Sequence, residues 1–168
     1  MNRSGRFENI KKDNEVKEER FLQFILFKVG EEEYATDILK VYEITSYKKL
    51  TRIPSMPSFV KGILNLKGIV VPVIDLREKF DVSGHEITKF TVIMIVDVSG
   101  RVMGVVVDKV NDIIKVKSSD IQPPPRFSFG VKANFIRGMI KKEKDFFTIV
   151  LDMAKILSDN ELNIMDTL

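Results

Sequence analysis

Short runs of aromatic and β-branched residues, separated by turn residues, dominate the hydrophobic pattern of this chain and are typical of β-strands. The clearest pair of runs flanks Ser99-Gly100, which predicts a β-hairpin. About ten short strands are predicted, and small closed barrels are the favoured architecture because closure removes exposed sheet edges. The most distinct predicted strands are residues 21–29, 69–74, 90–98, 102–107 and 146–151.

Residues 37–44 carry a pattern that fits two kinds of element. Ile38, Val41 and Ile44 recur every three residues, as on one face of a helix, while the run from Val41 to Ile44 also suits a strand. The matching segment in the second half of the chain, residues 105–110, is rich in β-branched residues. We therefore predict a strand at residues 37–44.

The second half of the chain repeats the pattern of the first half. Residues 24–44 match residues 93–113 at a constant offset of 69 positions, without a gap. Two later segments match at offsets of 76 and 77 positions, and the matching segments follow the same order in both halves. A duplicated unit of this size predicts two similar small modules packed together, at residues 21–80 and 90–158.

Other segments depart from the strand pattern. Pro72 has no N–H to donate to a sheet ladder, so we expect its strand to lie at a sheet edge or a bulge. One helical turn is expected at residues 75–80, and residues 152–157 are expected to start a short C-terminal helix. The charged residues 1–20 include few large apolar side chains and are expected to form a mobile arm. Residues 159–168 are expected to form a C-terminal tail that frays.

The composition suits a globular chain without a membrane span. Of the 168 residues, 44% are hydrophobic and 30% are charged, and the absence of cysteine excludes disulfides and thiolate metal sites. The longest apolar run, residues 69–74, is far shorter than the ~20 residues of a membrane helix. We therefore expect a cytoplasmic protein with no direct membrane insertion.

The charge pattern favours solubility over nucleic-acid binding. The 27 basic and 24 acidic side chains are interspersed and give a net charge of +3, whereas nucleic-acid-binding proteins gather basic residues on one face. A nucleic-acid-binding small barrel is the alternative, and it would require aromatic residues interleaved with basic residues on one surface. The aromatic residues here lie mostly within apolar strand runs, so we expect no nucleic-acid partner.

Residues that could carry out catalysis or bind a metal are sparse. The single histidine, His85, lies in a polar linker without a predicted partner to orient it as a base. The aspartates are spread singly, without the spacing of a calcium loop or paired histidines for zinc. Residues 62–68 do not form a phosphate-binding loop, because Lys67 precedes Gly68 instead of following a glycine. We predict no enzyme activity, no cofactor and no metal site.

One turn differs between the two halves of the chain. The first half has Asn65-Leu66-Lys67-Gly68, whereas the second half has charged residues at 141–144 and no glycine. This difference fits a loop that gained a function in one half, and it equally fits drift of an ordinary turn after duplication.

Six segments of the chain share their residues and their order with one known family. They are residues 37–44 (Asp-Ile-Leu-Lys-Val-Tyr-Glu-Ile), 51–54 (Thr-Arg-Ile-Pro), 59–68 (Phe-Val-Lys-Gly-Ile-Leu-Asn-Leu-Lys-Gly), 71–77 (Val-Pro-Val-Ile-Asp-Leu-Arg), 104–108 (Gly-Val-Val-Val-Asp) and 120–125 (Asp-Ile-Gln-Pro-Pro-Pro). Together they resemble the CheW family of bacterial chemotaxis adaptors, from residue 21 to residue 158.

The resemblance implies a mainly β fold of two intertwined, strand-exchanged, five-stranded SH3-like barrels with short helices, produced by tandem duplication. It implies a non-enzymatic adaptor that couples the cytoplasmic tips of chemoreceptors (methyl-accepting chemotaxis proteins) to the regulatory domain of the histidine kinase CheA, and helps to build receptor arrays at the membrane. That kinase domain has the same fold, so barrel-to-barrel pairing is expected. A CheW-like scaffold of a related pathway, such as type IV pilus motility, fits the same resemblance.

The resemblance also implies a receptor-binding site. Glu43 occupies the position of a charged residue implicated in receptor binding, and Lys67 replaces the usual arginine of the Asn-Leu-Arg-Gly motif. Lysine keeps the positive charge but lacks the planar, bidentate fork of arginine. The aliphatic residues of the site fall on the stretch that resembles the receptor-facing groove, and as an alternative they are ordinary core residues. The predicted receptor-binding residues are Ile38, Val41, Glu43, Ile44, Gly62 and Lys67.

Overall fold

Eleven strands and two short α-helices form the described part of the chain, which in this computed structural model comprises residues 20–82, 84, 86–124, 134–143 and 145–168. The first half contributes β1 (Phe21–Val29), β2 (Glu32–Asp37), β3 (Val41–Ser46), β4 (Val60–Leu66), β5 (Ile69–Asp75) and α1 (Leu76–Lys79). The second half contributes β6 (Val92–Val98), β7 (Arg101–Val107), β8 (Lys109–Lys117), β9 (Ile121–Gln122), β10 (Ile136–Glu143), β11 (Phe146–Leu151) and α2 (Asp159–Met165).

The mainly β prediction is confirmed, including the hairpin around Ser99-Gly100. Strands β6 and β7 pair antiparallel from Val92 opposite Val107 to Val98 opposite Arg101. The predicted helical turn after residue 75 is helix α1. The mobile arm predicted at residues 1–20 lies outside the described residues except for Arg20, and His85 lies outside them as well.

Each of the two sheets combines strands from both halves of the chain. The strand order is β8-β1-β2-β11-β10-β9 in the six-stranded sheet and β3-β6-β7-β5-β4 in the five-stranded sheet. Two parallel pairings, β2 with β11 and β5 with β7, join the halves. The first hairpin of each half therefore lies in the sheet that contains the last strands of the other half.

Both faces of the central strands are buried, which explains why their sequences are continuously apolar instead of alternating. In β1, Phe24 and Leu26 pack on Val150 and its neighbours in one cluster, while Ile25 and Phe27 belong to another cluster. Side chains alternate across a strand, so the two pairs lie on opposite faces of the six-stranded sheet. The second cluster contains residues of both sheets and is the core that joins them.

Two glycines at matching positions of the repeat allow close crossings of the backbone. A Cβ atom at Gly62 would collide with the carbonyl oxygen of Thr51, and a Cβ atom at Gly138 would lie 2.7 Å from the carbonyl oxygen of Gln122. Thr51 forms an isolated bridge with Ile63, and β9 pairs with β10 at the corresponding place. The glycines thus let the preceding segment of each half pack directly on the strand.

The prediction of a continuous strand at residues 37–44 is wrong at Ile38–Lys40, which form a turn of 3-10 helix. The carboxylate of Asp37 accepts a hydrogen bond from the backbone N–H of Leu39 at 2.9 Å and stabilises this turn. Strand β3 begins only at Val41. The second half differs because the single residue Asp108 separates β7 from β8.

For Pro72 the edge alternative is wrong, because its strand β5 lies between β7 and β4. The bulge alternative is closer, since the pairing of β4 with β5 is irregular between Val60 and Gly62, beside Pro72. Pro72 pairs with Ile63 of β4, but the pairing with β7 begins one residue later, at Val73 opposite Gly104. The missing N–H therefore removes no hydrogen bond from the pairing with β7.

The last residues form a helix instead of the predicted fraying tail. The hydroxyl of Ser158 accepts a hydrogen bond from the backbone N–H of Glu161 at 3.2 Å, and the Glu161 carboxylate accepts one from the N–H of Ser158 at 2.9 Å. This reciprocal capping box stabilises the start of α2. Leu162 and Met165 bury the helix against the core shared by both sheets. Residues 152–157, where a C-terminal helix is predicted to start, contain the 3-10 turn Met153–Lys155, and the α-helix itself begins at Asp159.

Candidate functional site

Lys67 lies at the tip of the two-residue turn that joins β4 to β5. Leu66 pairs with Ile69, and the φ angles of Lys67 and Gly68 are 51° and 86°. Positive φ at both central positions is typical of a type I′ turn, which favours asparagine and glycine over lysine. The side chain of Asn65 accepts a hydrogen bond from the N–H of Gly68 at 2.9 Å. The turn therefore holds an exposed lysine in a backbone conformation that lysine itself disfavours.

Glu43 lies in β3, which is the terminal strand of the five-stranded sheet. Its side chain is half-buried and follows an irregularity in the pairing of β3 with β6. Neither the Glu43 side chain nor the Lys67 side chain forms a hydrogen bond or an ion pair within the described part of the chain. Both charges are therefore available to a binding partner.

The predicted aliphatic residues of the site differ in their surroundings. Ile38 and Val41 are half-buried and pack against the core shared by both sheets. This agrees with the alternative that they are ordinary core residues. Ile44 is 40% exposed. Gly62 is buried under Thr51 and has no side chain to offer to a partner.

Two exposed apolar residues near this site were missed in the sequence. Leu39 is 84% exposed and Tyr42 is 62% exposed. The missing signals were the 3-10 turn and the irregularity that follows Val41. Tyr42 is the extra residue between Val41 and Glu43, and Ile44 lies opposite Met94 at the terminal strand of the sheet, where less of the chain covers it. Leu39, Tyr42 and Ile44 together are called the apolar strip.

A second kind of exposed apolar surface occurs once in each half of the repeat. Ile69 and Val70 at the start of β5 are 62% and 60% exposed, and Phe146 and Phe147 at the start of β11 are 74% and 40% exposed. The two pairs occupy matching positions, 77 residues apart. Successive side chains of a strand point to opposite faces, so each pair exposes apolar side chains on both sides of its hairpin. Exposed apolar side chains that recur in both halves are candidate contact points for other proteins. The two pairs are called the β5 pair and the β11 pair.

A buried ion cluster connects the two halves at the end of β5. The guanidinium of Arg77 lies 2.9 Å from the carboxylate of Asp75 and 3.3 Å from that of Asp108, which also accepts a hydrogen bond from the N–H of Gly30 at 2.7 Å. Burial disfavours the charge of Arg77, but the hydrogen bonds and charges of Asp75 and Asp108 outweigh it and raise the pKa of the guanidinium. The cluster thus holds the β1–β2 turn, α1 and the β7–β8 junction together.

Neither a metal centre nor a membrane span is found in the described ranges. No three histidine, cysteine, aspartate or glutamate side chains there are placed to hold a metal ion. None of the described helices has the length and apolar character needed to cross a membrane.

Comparison with known proteins identifies the family. Residues 23–161 of this chain match the family model of the CheW-like domain. The chain belongs to this family. The chemotaxis protein CheW of Klebsiella aerogenes is 38% identical over 144 residues, which are 86% of each chain. The chemotaxis protein CheW of Bacillus subtilis is 34% identical over 131 residues, which cover 76% of this chain and 82% of that protein.

The crystal structure of the scaffolding protein TtCheW from Thermoanaerobacter tengcongensis has the same fold. It matches with a TM-score of 0.76 and 31% sequence identity, and covers 84% of this chain and 96% of that chain. Membership in the CheW-like family confirms the predicted resemblance and fold class. The protein is a chemotaxis adaptor without catalytic activity, as members of this family are.

Proposed function

We propose that this CheW-like protein couples the cytoplasmic tip of a chemoreceptor to the regulatory domain of the histidine kinase CheA. The observation that carries this proposal is the presence of two distinct kinds of exposed apolar surface on one small chain, the apolar strip and the repeated apolar pairs. An adaptor needs separate surfaces for separate partners. A chain with a single function in binding one protein would not need both.

The apolar strip is the proposed receptor surface. A receptor tip is a helical hairpin, and helices dock on other proteins through apolar side chains repeated every three or four residues. Tyr42 supplies the aromatic anchor that commonly dominates binding energy, and Leu39 and Ile44 extend the contact. Glu43 has no charged partner within the described residues and lies on the other face of β3 from Ile44. At this terminal strand its carboxylate would meet a basic residue of the receptor at the margin of the apolar contact and set the register.

Lys67 is proposed to contact a carboxylate of the same receptor. Its ammonium is exposed at the tip of the β4–β5 turn. The usual arginine of the family would bind a carboxylate through two parallel hydrogen bonds, whereas lysine binds as a point charge. The contact therefore keeps its positive charge but depends less on the relative orientation of the two groups.

The β5 pair and the β11 pair are the proposed kinase surfaces. The CheA regulatory domain has the same fold, as the resemblance implies, so it can present a matching barrel to either pair. Phenylalanine buries more apolar area than isoleucine or valine, so the β11 pair is the stronger proposed surface. A chain that uses both pairs would link two kinase domains, which is how an adaptor extends an array.

The location follows from these partners. A receptor's cytoplasmic tip and a kinase domain are both cytoplasmic, so we propose that the protein is cytoplasmic and is recruited to membrane-associated receptor arrays. A CheW-like scaffold of a related pathway, such as type IV pilus motility, would use the same receptor-type surface with a different kinase.

Calorimetric titration of the full chain against a receptor tip fragment and against the isolated CheA regulatory domain tests the proposal. Saturable one-to-one binding to both partners is expected. Tyr42→Ala should weaken binding to the tip alone, and Phe147→Ala should weaken binding to the kinase domain alone. Val102→Ala, at an exposed apolar residue outside both surfaces, is the matched control.

The outcomes separate the alternatives. Absence of binding to both partners at about 50 µM would contradict the proposal, because a Kd of about 10 µM or tighter would leave most of the protein bound at that concentration. Binding to the tip alone would point to a different kinase and to a related pathway.

A further inference from the structure

A small polar pocket of about 250 Å³ lies between the two sheets, beside the 3-10 turn Ile38–Lys40. Its walls come from the end of β2, the β6–β7 turn, β10 and the segment after β11. The volume is below that of most small-molecule pockets and suits one long side chain. The charged residues of its walls are Asp37, Lys40, Asp97, Arg137 and Asp152.

An unpaired polar atom also lines this pocket. Thr36 is 1% exposed, and its Oγ1 atom has no hydrogen-bond partner among the described residues. The neighbouring Ala35 belongs to the cluster on one face of the six-stranded sheet, with Phe24 and Val150. Alternation therefore places Thr36 on the opposite face, where the pocket is. A buried hydroxyl without a partner is costly, and native structures retain one where a ligand or another group completes its hydrogen bonding.

The aspartates of the pocket are only partly satisfied. The Oδ1 atoms of Asp97 and Asp152 accept hydrogen bonds from the N–H groups of Gly100 at 2.7 Å and of Ala154 at 3.1 Å. No ion pair involves Asp97 within the described part of the chain, and the nearest cation to Asp152, the exposed Lys155, is 4.0 Å away. One oxygen of each carboxylate thus remains for a ligand.

The basic residues of the pocket do not occupy these carboxylates. The Nη1 atom of Arg137 is 4.0 Å from Asp37, and its guanidinium lies 6.0 Å from the ring centre of Phe24. Lys40 is exposed and has no ion pair within the described residues. The side of the pocket formed by Asp97, Asp152 and Thr36 therefore has two acidic groups and one unpaired hydroxyl, and among the described residues only the exposed Lys155 comes within 4.0 Å of either carboxylate.

We propose that this side of the pocket receives a basic side chain of the receptor tip that docks on the adjacent apolar strip. The inference rests on the proposed receptor function and names the chemistry of one contact within it. The 3-10 turn carries both Lys40 at the pocket and Leu39 of the apolar strip, so a helix on the strip passes the pocket mouth. A guanidinium or ammonium would pair with Asp97 and Asp152 and donate a hydrogen bond to the hydroxyl of Thr36.

Replacing each carboxylate by an amide tests the proposal without disturbing the turns. In Asp97→Asn and Asp152→Asn the side-chain oxygen still accepts the backbone N–H, while the negative charge is lost. Each change is expected to weaken binding to the receptor tip fragment about tenfold, the usual worth of a charged hydrogen bond. Asp112→Asn makes the same change at an exposed aspartate of β8 outside the pocket and should leave binding unchanged.

Thr36→Val distinguishes a ligand contact from a structural role. Valine has the shape of threonine but no hydroxyl, so removal of the unpaired group should raise the melting temperature by about 3 °C. Binding to the tip should become weaker in the same variant. A variant that is more stable and binds equally well would contradict the proposal.

A small probe keeps this test independent of the receptor. N-acetyl-arginine amide at about 50 mM, a concentration suited to a millimolar contact, should shift the NMR signals of Thr36, Asp97 and Asp152, and the uncharged N-acetyl-citrulline amide should not. If the protein binds no receptor tip but the arginine probe binds here, the receptor function fails and the pocket chemistry stands. If the tip binds and neither the aspartate variants nor the probe has an effect, the pocket inference is wrong and the receptor function stands.

Discussion

Asp75 and Arg77 are two residues apart in the chain and form a buried ion pair, with Nη2 of Arg77 2.9 Å from Oδ2 of Asp75. Their side chains are 2% and 3% exposed. Strand β5 ends at Asp75 and α1 begins at the next residue, so the pair lies where the chain turns away from the sheet. Because Arg77 also reaches Asp108 of the second half, this local pair connects the two repeats.

Arg77→Met should destabilise the fold strongly. The change leaves the carboxylate of Asp75 buried without its partner, which costs about 3–5 kcal/mol of unfolding free energy. Denaturant unfolding measures the loss, and a second change, Asp75→Asn, should recover part of it. Arg101→Ala, which breaks the exposed pair of Arg101 with Asp166, is the control and should have little effect.

Changes at Lys67 should separate stability from binding. Lys67→Asn places a residue that tolerates positive φ at the tip of the turn, and should stabilise the fold by up to about 1 kcal/mol. Lys67→Glu should leave the melting temperature nearly unchanged and weaken association with the receptor tip. Thermal unfolding and a pull-down with the tip fragment measure the two effects. Unchanged association of Lys67→Glu would show that this turn does not contact the receptor.

The same strand should respond oppositely at its buried and exposed positions. Val150 is fully buried with Phe24 and Leu26, so Val150→Asp should cost more than about 4 kcal/mol by burying an unpaired charge. Phe146 is 74% exposed, so Phe146→Asp should leave the fold intact and weaken binding to the kinase domain. Circular dichroism melts and calorimetry check the two outcomes. Equal melting temperatures for both variants would contradict the assignment of Val150 to the core.

Stability should fall in acid partly through Glu33. Burial opposes the charge of its carboxylate, but hydrogen bonds from Thr148 at 2.7 Å, Lys142 at 2.9 Å and Asn111 at 2.9 Å outweigh burial and lower the pKa below the ordinary value of 4.5. Since the folded pKa is the lower one, the contribution is fully present above pH 4.5 and is lost as the pH falls through the folded value. Unfolding free energies measured from pH 7 down to about pH 3 should therefore decline less steeply in Glu33→Gln.

The outcome at individual residues shows where sequence reasoning succeeds. The hairpin at Ser99-Gly100 was predictable because turn residues and flanking apolar runs act locally. The turn at Ile38–Lys40 was missed because one hydrogen bond from Asp37 outweighed the strand pattern. Because the turn was not predicted, the exposure of Leu39 and Tyr42 was not predicted either, since it depends on where β3 begins. Glu43 and Lys67 form no ion pair within the described chain, and their role in receptor binding stays a prediction.

The sequence by itself determined the duplicated strand pattern, the absence of thiol chemistry and the family, because periodicity, composition and motif order are properties of the linear chain. Only the tertiary structure decided that the hairpins of the two halves exchange sheets, since the parallel pairings of β2 with β11 and of β5 with β7 join segments far apart in sequence. The structure also decided that Ile38 and Val41 pack on the core while Tyr42 and Ile44 remain exposed. Burial depends on which distant parts of the chain pack against a residue, and the linear sequence pattern does not contain that information.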